Sequence, residues 1–184
     1  MLNHVGTKVI ETERLRLRPF KVWDAEDMHN NWASDEEVTR YLTWPTHKTI
    51  ETTKRTIENW VNEYSNNQNY NWAIELKETC KVIGSMSLMN IDNRNENCEV
   101  GYCISRKLWG QGIATEAFKA IINFAFNEVG FERITGRHAI ENIASGKVME
   151  KCGLQYEGVL RKINKNSKGE LVDCKYYSIL KEEL

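Results

Sequence analysis

The segment that most constrains this chain runs from Cys98 to His138. An apolar stretch, Cys98 to Ile104, leads into two glycines one residue apart, Gly110 and Gly112, and then into a long amphipathic segment. Val100, Tyr102 and Ile104 give the first stretch the β-branched and aromatic character of a strand. From about Gln111 to Glu128, Ile113, Ala117, Phe118, Ile121, Phe124 and Ala125 share one helical face, and Glu116, Lys119, Asn123 and Asn127 share the other. Gly130 ends that helix, and Arg133 to His138 reads as a strand again. Strand, helix, strand implies a right-handed crossover and a parallel pair.

The remaining segments surround this unit. Leu15 and Leu17 alternate with Arg14, Arg16 and Arg18 ahead of Pro19, the period of a half-buried strand. Asp24, with Asp27 three residues on, reads as the N-cap of a helix to about Ala33. A short helix is expected from Glu36 to Leu42, and Pro45 interrupts the chain. Thr49 is placed to cap a helix whose Ile50, Ile57, Trp60, Val61 and Tyr64 share a face. After the loop Asn66 to Asn69 come Tyr70 to Leu76, Val82 to Ile91 and Cys98 to Ile104. Their polar turns, Lys77 to Cys80 and Asp92 to Asn95, indicate an antiparallel meander. Asn142 to Lys151 reads as a helix ended by Gly153. Strands Leu154 to Ile163 and Leu171 to Leu180 follow, joined as a hairpin by the polar segment Asn164 to Glu170.

The expectation is one mixed α/β domain over residues 1–184. A net charge of −1 lacks the basic excess of a general nucleic-acid binder. Ile113 to Phe126 is interrupted by Glu116, Lys119 and Asn123, which excludes a membrane span there, and no leader segment is evident. Cys80, Cys98, Cys103, Cys152 and Cys174 form no paired motif, and the four histidines lie far apart. These features predict a reduced cytoplasmic protein, monomer or homodimer, with no metal, no nucleic-acid partner and no membrane partner.

The chemistry concentrates at the glycines. At a strand-to-helix junction they permit a sharp turn and leave backbone N–H groups uncovered. With the positive end of the helix dipole, those groups make an anion site suited to a diphosphate, and Lys107 adds charge beside it. The P-loop pattern is absent, and Thr115 stands where a dinucleotide fingerprint needs its third glycine. Alone, the pattern equally describes a loop whose turn needs two glycines.

Lys107-Leu108-Trp109-Gly110-Gln111-Gly112 resembles the acetyl-CoA loop of the GNAT superfamily of N-acetyltransferases, Gln/Arg-x-x-Gly-x-Gly/Ala, with Lys107 departing from the usual Gln or Arg. The resemblance extends across nearly the whole chain. It includes Thr12-Glu13-Arg14-Leu15-Arg16-Leu17-Arg18-Pro19, Ile83-Gly84-Ser85, Glu99-Val100-Gly101-Tyr102, Asn142-Ile143-Ala144-Ser145, Glu150-Lys151-Cys152-Gly153-Leu154, Glu157-Gly158 and Leu160-Arg161. In this order the segments resemble the Rim-type branch, named for ribosomal-protein N-terminal acetyltransferases.

The resemblance implies a mostly antiparallel sheet of six to seven strands, flanked by helices, whose parallel pair splays apart to admit pantetheine. It implies acetyl-CoA as co-substrate. Backbone groups of Tyr102, Cys103 and Ile104 would pair with pantetheine. Lys107 and Trp109, Gly110, Gln111, Gly112, Ile113 and Ala114 would hold the diphosphate. Asn142 and Ser145 would approach from the far side, although Asn142 is also a good helix cap and Ser145 a common first-turn residue. Ser145 is the candidate proton donor to the departing thiolate, because Met149 stands where many relatives have a Tyr. Glu99 and Glu157 are both candidate bases, and Asn164 stands near a glutamate of some Rim-type enzymes.

Acceptor recognition is expected among the early helices. Trp32, Tyr41 and Trp44 either line a groove or cap the core. Asp35, Glu36 and Glu37 either attract an amine or complement a helix dipole, with the dipole favoured. The implied function is acetylation of a primary amine, with a protein N-terminal α-amine in the lead. The alternatives are a small amine, such as a polyamine, amino acid or antibiotic, or a non-catalytic acetyl-CoA-binding module.

Overall fold

The computed structural model describes residues 1–184. Eight strands form one sheet: β1 (Ile10–Glu11), β2 (Leu15–Pro19), β3 (Tyr70–Leu76), β4 (Lys81–Asp92), β5 (Asn97–Ile104), β6 (Arg133–Ala139), β7 (Gln155–Lys165) and β8 (Leu171–Leu180). Their spatial order is β1-β2-β3-β4-β5-β6-β8-β7, and only β5 and β6 run parallel. The strand beyond the expected seven is β1, whose two residues pair with Leu17 and Arg16 and are too short to show a period. The last hairpin turns later than its composition suggests, since β7 continues through Asn164 and Lys165 before the turn.

The helices are α1 (Ala25–Met28), continued by a wider π turn at His29–Ala33, α2 (Glu36–Thr39), α3 (Ile50–Glu63), α4 (Ile113–Phe124), extended by a π turn at Ala125–Val129, and α5 (Ile143–Lys151). Thr49 caps α3 by accepting from Thr52 N–H at 3.4 Å, as its position predicts. Gly130 and Gly153 end their helices in the left-handed region, at φ +90° and +91°. Asp24 corrects the sequence reading. It precedes α1 without a side-chain cap because its carboxylate is held bidentately by Arg18 at 2.8 and 2.9 Å. Asp27, read as its capping partner, instead accepts from Val82 N–H at 3.1 Å and ties α1 to β4.

Alternate strand residues enter different cores. Leu15, Leu17, Trp72, Ile74, Met86 and Val100 pack with α4 and α5 on one face of the sheet. Ala73, Val82 and Cys103 pack with α1 and α3 on the other, around the fully buried Trp32 and Ile57. Trp32 therefore belongs to the core and not to an acceptor groove. At the sheet edge Arg18 joins buried Asp24 to buried Glu75, which it meets at 2.7 Å. Removing either acid would leave a buried guanidinium short of a partner.

Candidate active site

The parallel seam closes at one end and opens at the other. β5 and β6 pair only over Asn97–Arg133, Cys98–Ile134 and Glu99–Thr135, after which β6 stays with β8 alone. Within the closed part, the Glu96 carbonyl accepts from Glu132 N–H at 2.8 Å, and the Cys98 carbonyl accepts from the Thr135 hydroxyl at 3.1 Å. Backbone direction alternates along a strand, so Val100, Tyr102 and Ile104 also turn their N–H and C=O toward the open side. The indole N–H of Trp109 already meets the Ile104 carbonyl at 2.9 Å. Cys103 faces the other way, so close to β4 that a Cβ on Gly84 would collide with its carbonyl. Strand alternation splits the expected set Tyr102, Cys103 and Ile104: Tyr102 and the Val100 carbonyl face the opening, and Cys103 faces β4.

The glycine loop follows directly. Gly110 and Gly112 both adopt φ +77°, a conformation costly for other residues, and both are exposed. The first intrahelical bond of α4 is donated by Glu116 N–H to Gly112 C=O at 2.9 Å. This leaves the N–H groups of Ile113, Ala114 and Thr115 in the unpaired first turn that makes a helix start an anion site. Gln111 folds its amide onto the Lys107 carbonyl at 3.1 Å, while Lys107 itself is exposed. Arg14, just ahead of β2, brackets the loop by donating to the Gln111 carbonyl at 2.9 Å and to Glu116 at 2.6 Å. It also neutralises the one acid in the first turn of α4. No local spacing connects Arg14 with Glu116, so the sequence gives no signal for this clamp.

On the far side of the opening, Asn142 precedes α5 without capping it, and its amide lines the cleft. The hydroxyl of Ser145 lies 2.8 Å from the Tyr102 phenol oxygen. Met149 is buried, with its methyl group against Gly136, and serves the core.

The cleft continues through the splay to the face carrying α1 to α3, enclosing about 410 Å³. Tyr41, Trp44 and Trp60 form one wall, and Ser85, Ser87, Met89 and Glu99 lie along the floor. Glu99 is nearly buried, held by Arg137 Nε at 3.2 Å and by the Asn90 amide at 3.1 Å. Arg137 also donates to the Tyr176 hydroxyl at 3.1 Å. Asn164 also lines this cleft. Glu157 is not brought to it. Its carboxylate lies on edge strand β7, bound by Arg133 and by the Ser178 hydroxyl, and these hydrogen bonds hold its pKa below the ordinary carboxylate value. Asp35, Glu36 and Glu37 are engaged elsewhere: Asp35 caps α2 and pairs with Arg106, Glu36 pairs with Lys48, and Glu37 lies near Arg40. Burial pushes the Cys103 thiol, also in the cleft wall, up to about 11, so it is a poor nucleophile at neutral pH.

Residues 14–155 match the family described as acetyltransferase (GNAT) domain. The chain is 34% identical over 177 residues to the uncharacterized N-acetyltransferase p20 of Bacillus licheniformis, covering 96% of this chain and 98% of that one. It is 37% identical over 105 residues to YdaF of Bacillus subtilis (strain 168), provisionally named a ribosomal N-acetyltransferase, covering 55% of each. Among solved structures, a GNAT-family acetyltransferase from Bacillus anthracis superposes with a TM-score of 0.84 at 29% identity, covering 96% of this chain and all of that one.

Proposed function

This chain belongs to the GNAT acetyltransferase family and is an acetyl-CoA-dependent N-acetyltransferase; we propose that its acceptor is a protein N-terminal α-amine. The observation that carries the transferase reading is the loop at Gly110 and Gly112, set beside the open half of the β5–β6 seam. The named relationship to YdaF supports the ribosomal-protein branch. A cleft open to the surface and lined by Trp44, Trp60 and Glu63 suits the end of an extended peptide.

Acetyl-CoA supplies a thioester whose carbonyl is attacked by the amine. In the proposed arrangement, first-turn N–H groups of α4 and Lys107 hold the diphosphate. Val100 and Tyr102 pair with the pantetheine arm, and Asn142 closes over it. A backbone N–H at the splay stabilises the oxyanion. An amine with a pKa near ~10 reaches the cleft mostly protonated. Glu99, one of two carboxylates lining the cleft, receives that ammonium and takes its proton through water. The C–N bond forms, the nitrogen's second proton passes to solvent, the C–S bond breaks with its electron pair left on sulfur, and Ser145 gives a proton to the thiolate. Solvent then restores the serine hydroxyl. Cys103 takes no part, so the acetyl group moves directly between the two substrates.

A thiol-release assay over N-terminal peptides and small amines tests the acceptor. Turnover of peptides in preference to polyamines, amino acids and aminoglycosides is expected. Preference for a small amine overturns the peptide assignment, and no turnover with any acceptor overturns the catalytic one.

A further inference from the structure

We infer that the Tyr102 side chain is a positioning residue for Ser145, so that one residue of β5 sets both the cofactor arm and the proton donor. This rests on the proposed role of Ser145. Strand alternation turns the Tyr102 backbone into the open seam, while its side chain projects from the sheet toward α4 and α5. There the ring packs on Phe118, with centroids 5.6 Å apart, and the hydroxyl meets Ser145 Oγ at 2.8 Å and the Ser145 carbonyl at 3.2 Å. Both residues line the cleft.

The direction of this hydrogen bond decides what Ser145 can do. A serine hydroxyl has one proton, and if Oγ spends it on the phenol, none remains for sulfur. The phenol also has one proton, and two acceptors compete for it: the Ser145 carbonyl at 3.2 Å and the nearer Oγ at 2.8 Å. With that proton on the nearer Oγ, the serine proton is free to point into the cleft. The same bond stabilises the charge that grows on Oγ as that proton leaves. Burial pushes the Tyr102 phenol above its ordinary range, so it stays protonated and able to donate throughout neutral pH. Ser145 has no other side-chain hydrogen bond, so this contact alone fixes its rotamer. Met149 lies against Gly136 and cannot supply a phenol from the helix, whereas Tyr102 brings one from the strand.

The test is a double-mutant cycle on the full chain: Tyr102→Phe, Ser145→Ala and both, assayed with acetyl-CoA and the amine that turns over fastest. Phenylalanine keeps the packing on Phe118, and a melting curve checks folding. Tyr102→Phe is expected to lower kcat roughly 10- to 100-fold, within the range of lost general-acid assistance. KM for acetyl-CoA should stay within about twofold, since backbone pairing survives. The double variant should be no slower than Ser145→Ala. A structural role alone would give a wild-type kcat or a loss of stability with KM and kcat moving together. A wild-type kcat in Tyr102→Phe, or losses that multiply in the double variant, overturns the inference while leaving Ser145 in place. A wild-type kcat in Ser145→Ala overturns the role of Ser145, and the inference with it. Absence of turnover with every acceptor has the same consequence.

Discussion

The two ends of the cleft are built from different materials. The proposed cofactor end is backbone: two left-handed glycines, the unpaired first turn of α4, and a strand edge that β6 has left. The proposed acceptor end is side chain: Glu99 between Arg137 and Asn90, with Tyr41, Trp44 and Trp60 lining the same cleft. Backbone sites bind groups that every acetyl-CoA presents. Side-chain sites discriminate, because a buried polar group left without its partner is costly. Substitutions at the first end should therefore change cofactor affinity, and those at the second should change the acceptor and its pH dependence.

The largest expected effect separates the ends outright. Gly112→Asp puts a carboxylate at the phosphate site in an exposed loop whose nearest neighbour is Arg14, 3.6 Å from a Cβ there. Acetyl-CoA affinity should fall about 100-fold, roughly 2.8 kcal/mol by the usual conversion. Ligand-induced stabilisation in a melting curve should disappear with it. A folded variant that binds acetyl-CoA normally would falsify the loop assignment.

The second effect belongs to the acceptor end. Glu99→Gln should lower kcat/KM for the amine about 10- to 100-fold, most severely at acid pH, where the free-amine fraction is smallest. Acetyl-CoA binding should be unchanged. Because Arg137 loses its partner, Glu99→Gln/Arg137→Gln is needed beside it, with melting curves for both. If the pH profile keeps its wild-type shape in both, deprotonation occurs in solvent, and the two ends differ less than their construction suggests.

These ends were also unequally legible. Gly110, Gly112 and the amphipathic face of α4 are local signals, and they place the loop, the crossover and the parallel pair correctly. Cys103 was grouped with Tyr102 and Ile104 because the strand edge was read as consecutive residues, although strand backbones alternate. Asp24 was misread because its true partner, Arg18, lies outside the helix it seemed to cap. Arg137 had no signal: a basic residue on a strand usually means an exposed one, and its pairing with Glu99 spans two strands. Glu99 and Glu157 have similar sequence settings, but β5 lies inside the sheet and β7 at its edge. Glu157→Gln is consequently expected to leave the pH–rate profile unchanged and to lower the melting temperature slightly at pH 7. A changed profile would return this residue to the acceptor chemistry.

The smallest expected effect concerns pH and stability. His47 lies under the acceptor-side helices, its ring within 2.9 Å of Thr53 Oγ1, and His138 is buried in the cleft wall against Gly146. Burial is the main cause holding both below the ordinary histidine value, helped at His47 by the nearby His29. Near pH 7 both are mostly neutral whether folded or unfolded, so their penalty on folding is small. As pH falls below about 6.5, the unfolded chain takes up protons that the folded chain resists, and stability declines until the folded groups also titrate. The melting temperature should therefore fall by about a few degrees between pH 7 and pH 5.5. His47→Gln should flatten part of that decline, and acetyl-CoA affinity per folded molecule should hold, since neither ring touches the glycine loop. A flat melting profile would show that these histidines accept protons in place. A loss of cofactor affinity in step with stability would show that the helices over the acceptor end also support the backbone-built end.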